Sequence, residues 1–266
     1  MKTNEIIAQT DNHIGTIILN RPEKRNTLSQ SLLVSLYLTL QEWSKKGNIW
    51  AVIIKGSGNR AFSSGYDILS IPTEIVRSMQ EEFKNSNPLE LALKTLKDYP
   101  FPTIAMLNGY AFGAGLNLAI CCDIRVASEK VKIGMPPAKL GLVYHPEGLK
   151  QFIEVVGLSK AKALFLTART YNAIQAKEMG IIDHLLPETE LSTFTLSLAN
   201  DIASNAPLSL KGTKKIFNML SSVEKVLTDD QLKEAEKIIV DAFNSEDIKE
   251  GQTAFIEKRV PCFKGR

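Results

Sequence analysis

Residues 103–115 read TIAMLNGYAFGAG, an apolar strand-like run followed at once by a turn of small residues. The first five residues are apolar or β-branched without polar alternation, which predicts a strand buried on both faces of a sheet. The glycines and alanines of residues 109–115 predict a tight turn, and the apolar residues 116–121 predict a helix that begins there. A strand, a turn and a helix in this order are typical of an α/β fold with crossover connections.

The same alternation extends toward the N-terminus. Residues 14–20 (IGTIILN) predict a strand that ends before Pro22, because proline cannot donate to a sheet ladder. Leucines at helical spacing over residues 29–43 predict a helix with a serine at its start. Residues 51–54 predict another buried strand, and residues 61–67 (AFSSGYD) form a second small-residue turn. The sheet is therefore predicted to be largely parallel.

The C-terminal third is predicted to be nearly all helix. Residues 124–127 resume the sheet, and from Glu147 onward the pattern is helical. No linker rich in glycine, serine or proline marks an independent domain. We expect a core over residues 1–195 and a helical region over residues 196–266, with a charged excursion at residues 71–87 that lines the pocket for the substrate.

The composition is that of a globular protein. The 266 residues are 44% hydrophobic and 23% charged, and the net charge of +3 suits an anionic substrate without implying nucleic acid. No apolar run approaches the ~20 residues of a membrane span, and the polar N-terminus is unlike a secretory signal. Three cysteines give neither a disulfide framework nor a metal-ligand spacing, so we expect a reducing compartment, the cytoplasm.

The two small-residue turns are the candidate site. Small side chains let a ligand approach the backbone closely, and glycine admits positive φ. The second turn also opens a helix, whose first N–H groups are unpaired and carry partial positive charge. Either turn alone is more often a simple connection, but two such turns together suit a developing oxyanion.

Short motifs along the chain resemble, in order and spacing, the crotonase superfamily, which is the enoyl-CoA hydratase/isomerase family. They are NRPEKRNTL (20–28), AFSSGYDI (61–68), NGYAFGAG (108–115), CDIR (122–125), LGL (140–142), AKEMGI (176–181) and AFIEKR (254–259). The resemblance covers essentially the whole chain. It implies an α/β fold built as a spiral of ββα units, with a C-terminal helical trimerisation region. It also implies a homotrimer or a hexamer of two trimers, acyl-CoA thioester substrates, and no cofactor beyond the CoA of the substrate.

Carried over residue by residue, the resemblance assigns the oxyanion donors to the main-chain N–H groups of Tyr66 and Ala114. The family usually has glycine where Ala114 stands, and a backbone donor survives that change. Hydratases of the family use two glutamates around the added water, and this chain has Asn117 and Pro137 at the corresponding positions. Neither residue can exchange a proton, so two-glutamate hydration is not expected.

The resemblance also implies how CoA is held. Arg25 matches a position that contacts a CoA phosphate in relatives. Ala61 and Ser63 match the strand edge that receives the adenine. Phe255 and Lys258 lie in a C-terminal tail that commonly reaches the nucleotide of a neighbouring subunit.

Three residues in LGLVYHPEG (140–148) are candidates for the proton chemistry. Related isomerases and dehalogenases have an acid where His145 stands, and methylmalonyl-CoA decarboxylase relatives have a tyrosine where Tyr144 stands. A histidine such as His145 could act as an acid or a base, and Tyr144 could orient a carboxylate or donate a hydrogen bond. Glu147 follows one helical step later, although an acid in a first helical turn also favours the helix dipole.

These features leave several functions open. A decarboxylase or an isomerase is favoured, because loss of CO2 creates an enolate without a base. The alternatives are a 2-enoyl-CoA hydratase that uses Glu147 or His145, and a non-catalytic member that binds CoA esters. An RNA-binding role is disfavoured, because the helix after Ser29 offers only Lys45 and Lys46 as basic residues.

Overall fold

The computed structural model describes residues 4–67, 87–221 and 228–264, so the predicted excursion at residues 71–87 lies outside the described residues except for Asn87. The strands are β1 (Ile6–Asp11), β2 (Ile14–Leu19), β3 (Ala51–Gly56), β4 (Ala61–Ser63), β5 (Thr103–Leu107), β6 (Tyr110–Phe112), β7 (Ile124–Ser128), β8 (Lys132–Gly134), β9 (Thr170–Asn172) and β10 (His184–Leu186). The helices are α1 (Gln30–Lys46), α2 (Pro88–Lys97), α3 (Ala114–Ile120), α4 (Pro146–Thr167), α5 (Ala173–Glu178), α6 (Glu188–Ala203), α7 (Pro207–Ser221), α8 (Asp229–Phe243) and α9 (Glu246–Glu257).

Two sheets organise the chain. The larger has the order β1-β2-β3-β5-β7-β10, and its strands are parallel except for the antiparallel pair β1 and β2. The smaller has the order β4-β6-β8-β9, in which only β8 and β9 are antiparallel. The predicted α/β class and largely parallel sheet are confirmed.

The helices cover the two faces of the larger sheet. Helix α1 begins where predicted, since the Ser29 side chain accepts a hydrogen bond from the N–H of Leu32. Its buried leucines and Trp43 share one core with α2, α3 and the smaller sheet. Leu191 and Ala199 of α6 pack on the opposite face of the larger sheet.

The C-terminal third is mostly helical, as predicted, but it also contributes β9 and β10 to the two sheets. Both strands have three residues, which is too short for a hydrophobic period to register in the sequence. The predicted boundary between residues 195 and 196 falls within helix α6. The division of the chain into a core and a helical region stays a prediction.

The last helix, α9, lies against an earlier part of the chain. Helix α9 packs on the 3-10 turn Pro137–Leu140, because Gly251 and Gly141 let the two backbones approach closely. Among the described residues, no helix combines the length and the apolar content that a membrane crossing requires.

Candidate functional site

The two small-residue turns lie side by side. Each of the two predicted turns contains a short strand that sequence reasoning missed: β4 lies within residues 61–67 and β6 within residues 109–115. The two strands pair in parallel, so the residues that follow them leave the same edge of the smaller sheet. Gly65 and Gly113 have φ values of 101° and 53°, which residues other than glycine rarely adopt. A Cβ atom at Gly65 would lie 2.8 Å from the carbonyl oxygen of Phe112 and 3.5 Å from the nitrogen of Ala114. The main chains of the two turns therefore meet without side chains between them at this point.

Each turn presents a main-chain N–H group without a protein acceptor. The N–H of Leu28 donates to the carbonyl of Gly65 at 2.8 Å, and the N–H of Asp67 donates to the carbonyl of Leu28 at 3.2 Å. These two bonds involve the residues on either side of Tyr66, and neither uses the N–H group of Tyr66. Ala114 is the first residue of α3, where a helix leaves its N–H groups unpaired. Within the described parts of the chain, the N–H groups of Tyr66 and Ala114 donate to no protein atom.

One helical turn after Ala114, neutral side chains form a hydrogen-bonded network around Asn117, the residue that stands where hydratases of the family have a glutamate. The Tyr144 hydroxyl donates to Asn117 Oδ1 at 2.8 Å. Asn117 Nδ2 donates to Gln151 Oε1 at 2.7 Å, and Cys121 Sγ donates to the same oxygen at 3.3 Å. Asn117, Cys121 and Gln151 are all buried.

Burial keeps the titratable members of this region uncharged. Desolvation raises the pKa of the Tyr144 hydroxyl and of the Cys121 thiol well above their usual ranges. Desolvation also raises the pKa of Cys122 to about 12. Both cysteines are buried in the core. At neutral pH this network, which we call the inner end of the site because Asn117 lies one helical turn after Ala114, therefore holds hydroxyl, amide and thiol groups without a charge.

His145 and Glu147 are exposed, and neither forms a hydrogen bond with the described members of this network. His145 precedes the first residue of α4, its side chain is 47% exposed, and its Nδ1 atom lies 3.7 Å from Oε1 of Glu90. Glu147 is an exposed residue in the first turn of α4. Tyr144 is thus the one of the three candidates that joins the buried network. Pro137, at the second glutamate position, is buried at the start of its 3-10 turn.

A pocket of about 660 Å³ adjoins the turns. Its wall contains Tyr66 and two of the predicted CoA contacts, Arg25 and Phe255. Phe255 thus lines a pocket of its own chain, and the implied contact with the nucleotide of a neighbouring subunit stays a prediction. Ala61 and Ser63 are buried and lie outside this wall, as does the exposed Lys258 at the end of α9.

The pocket wall is basic. Besides Arg25 it contains Lys24, Lys139 and Arg259. Arg259 is paired with Glu250 and Glu257, whereas Lys24, Arg25 and Lys139 form no ion pair within the residues that the structure describes. The acid on this wall, Asp67, pairs with Arg21 at 3.5 Å. The unpaired cations suit an anionic group in the pocket.

Sequence reasoning did not identify Gln151 or Lys139 as site residues. Asn117 and Cys121 share a face of α3 because they are four residues apart, but nothing in the sequence indicates that Gln151 of α4 packs against that face. Lys139 comes close to the turns through the packing of the 3-10 turn, which is equally hidden in the sequence.

Comparison with known proteins agrees with this architecture. A family model described as enoyl-CoA hydratase/isomerase matches residues 9–266. The short-chain-enoyl-CoA hydratase of Clostridium acetobutylicum is 30% identical over 278 residues, which cover 100% of both chains. The 2,3-dehydroadipyl-CoA hydratase of Escherichia coli is 30% identical over 263 residues, covering 99% of this chain and 100% of that one. A solved methylmalonyl-CoA decarboxylase in complex with 2S-carboxypropyl-CoA superposes with a TM-score of 0.89 at 27% identity, covering 100% of both chains. The chain belongs to the enoyl-CoA hydratase/isomerase family, the crotonase superfamily, and carries features similar to those of methylmalonyl-CoA decarboxylase.

Proposed function

We propose that this enzyme decarboxylates an acyl-CoA whose α-carbon carries a carboxylate, such as methylmalonyl-CoA. The observation that carries the proposal is the neutral network of Tyr144, Asn117 and Gln151 at the inner end of the site. A hydratase needs one group that accepts a proton and another that delivers one. The two positions where relatives hold glutamates have an amide and a proline here, whereas decarboxylation begins without a base.

The first step would use the two main-chain donors. The C–C bond to the carboxylate breaks, its electron pair passes into the thioester, CO2 leaves, and negative charge develops on the thioester oxygen. The N–H groups of Tyr66 and Ala114 have no acceptor among the residues that the structure describes, and they lie on neighbouring turns. Donors fixed in advance at the developing charge are worth roughly 2.7–4 kcal/mol each in other enzymes.

The second step adds one proton to the α-carbon of the enolate. We assign this proton to a water molecule held at the oxygen of Tyr144. Tyr144 stays neutral because burial raises the pKa of its hydroxyl. The hydroxide left behind would combine with CO2 as bicarbonate, so the overall reaction consumes one water and needs no oxidant or reductant.

The basic pocket supports a CoA ester as the substrate. Lys24, Arg25 and Lys139 supply cationic groups that phosphates bind. The solved decarboxylase of similar fold was bound to a carboxypropyl-CoA. CoA would serve as part of the substrate, and the chemistry would need no further cofactor.

Two substrates separate the possible reactions. Purified protein is given methylmalonyl-CoA with CO2 release followed, and crotonyl-CoA with loss of the enoyl absorbance followed. We expect CO2 release that exceeds hydration. Rapid crotonyl-CoA hydration without CO2 release would refute the decarboxylase and favour the hydratase.

We also propose that the chain assembles as a homotrimer or as a hexamer of two trimers in the cytoplasm. Several large apolar side chains of α7 are exposed in the single chain, which favours burial against another subunit. They are Leu208, Ile216, Phe217 and Leu220. Light scattering on the purified protein would give the mass, and a monomer at micromolar concentration would contradict the assembly.

A further inference from the structure

A chain of four polar side chains behind the site ends on the Tyr144 hydroxyl. The thiol of Cys121 and the amide of Asn117 both donate to Gln151 Oε1, and Tyr144 donates to Asn117. Asn117 is 0% and Gln151 is 4% exposed, so water cannot replace these bonds freely. Buried amides in such a chain have little freedom to rotate without losing hydrogen bonds.

The order of donors fixes the direction of the chain. A side-chain amide offers an acceptor at one end and a donor at the other. Cys121 Sγ accepts a hydrogen bond from Asn117 Nδ2 at 3.7 Å and donates to Gln151 Oε1. Asn117 then meets this oxygen with Nδ2 and presents Oδ1 to Tyr144.

We propose that Gln151 is a positioning residue that acts through Asn117 on the hydroxyl of Tyr144. Gln151 holds Asn117 Oδ1 toward Tyr144, so the phenolic proton of Tyr144 is used in the hydrogen bond to Asn117. The phenolic oxygen of Tyr144 can then accept a hydrogen bond from a water molecule. This proposal rests on the proposed function, which it deepens. An acceptor orients a water that delivers a proton, and it gives no hydrogen bond to the carboxylate that must leave. Stabilising that carboxylate in the bound substrate would not raise kcat.

A double-mutant cycle tests the proposal. Gln151→Met removes the acceptor while preserving much of the side-chain length, and we expect kcat for CO2 release to fall on the order of tenfold, since a misplaced catalytic group costs up to about 100-fold. KM should stay nearly constant. In the Tyr144→Phe background the same substitution should have almost no further effect on kcat. In the otherwise unchanged enzyme, Gln151→Glu keeps an oxygen acceptor and should retain more of the rate than Gln151→Met does.

Tyr171→Phe provides the matched control, because the Tyr171 hydroxyl contacts Ala163 and Thr167 and does not belong to the chain. In that background Gln151→Met should still lower kcat to the full extent. An equal loss in the Tyr144→Phe and Tyr171→Phe backgrounds would show that Gln151 is merely structural and would overturn the proposal.

Thermal unfolding tests the same connection without any reaction. The Tm losses of Gln151→Met and Tyr144→Phe should be smaller together than their sum, because both substitutions break one chain. Additive losses would overturn the proposal even in an inactive enzyme. Absence of CO2 release by the unchanged protein would instead refute the proposed function, so the two failures are distinguishable.

Discussion

Two neighbouring regions at the start of α4 use polar side chains in opposite ways. The inner region, Tyr144 with Asn117 and Gln151, is neutral and hydrogen-bonded, with Asn117 and Gln151 buried and Tyr144 partly buried. The outer region, His145 and Glu147, is exposed and ionisable, with His145 beside Glu90. Residues that are adjacent in sequence thus belong to different chemical environments. The difference teaches that the reaction is determined by which side chain turns inward, and not by which residue is the better acid or base.

The contrast has an energetic reason. A carboxylate placed at residue 117 would be fully buried, and an ion in such a place costs several kcal/mol unless it is paired. An amide satisfies its hydrogen bonds with Tyr144 and Gln151 and carries no such cost. The inner region is therefore suited to hold a neutral reacting group and the outer region to remain solvated.

The largest expected effect concerns the backbone donor above the inner region. Ala114→Pro removes the N–H of the first residue of α3, a position where helices accept proline. We expect kcat to fall about 100- to 1,000-fold, as when one oxyanion donor is lost. The measurement is CO2 release, with circular dichroism to verify folding. Ala114→Gly keeps the N–H and should remain active, and a folded, fully active Ala114→Pro enzyme would contradict this role.

The next effect separates the inner tyrosine from other tyrosines. Tyr144→Phe removes the hydroxyl that contacts Asn117, and we expect kcat to fall roughly 10- to 100-fold because the proton-donating water loses its position. Steady-state rates measure it, with Tyr171→Phe as the control that should keep its rate. Equal rates for the two variants would remove Tyr144 from the reaction.

A smaller effect probes the packing that lets the inner region form. A Cβ atom at Gly148 would lie 2.4 Å from the Tyr144 ring and 3.1 Å from Asn117 Oδ1. Gly148→Ala should therefore lower the free energy of unfolding by about 1–3 kcal/mol, as overpacking does, and it should lower kcat as well. Denaturant unfolding measures the first effect. Gly212→Ala in α7 meets nothing within 4 Å and should not destabilise. An effect of Gly148→Ala no larger than that of Gly212→Ala would contradict the predicted clash with Tyr144.

The smallest effect is expected in the outer region. His145→Gln and Glu147→Gln change exposed side chains, and we expect rates within about twofold of the unchanged enzyme, since surface substitutions cost about 0.5 kcal/mol or less. Loss of activity in Glu147→Gln alone would reverse the assignment of inner and outer regions and favour an atypical hydratase.

Much of the fold could be predicted from the sequence, because its signals are local. The strand at residues 103–107 and the start of α1 at Ser29 follow from apolar runs and a capping residue. The short strands β9 and β10 carry no such pattern. Their pairing depends on neighbours that are far away in the chain.

The site was only partly predictable for the same reason. The positions of Asn117 and Pro137 could be located from the family pattern, and with them the missing glutamates. The directions of Tyr144, His145 and Glu147 could not, because they depend on how α4 meets α3 and α2. Gln151 has no sequence signal, since its partners lie on another helix.

The central claim is that the N–H groups of Tyr66 and Ala114 both donate to one thioester oxygen. Infrared difference spectroscopy of propionyl-CoA labelled with ¹³C at the thioester carbonyl tests it directly. On the unchanged enzyme the carbonyl band should move to lower frequency than in water, and Ala114→Pro should lose most of that shift while still binding the ester. A bound ester with the same band position as in water would contradict the claim.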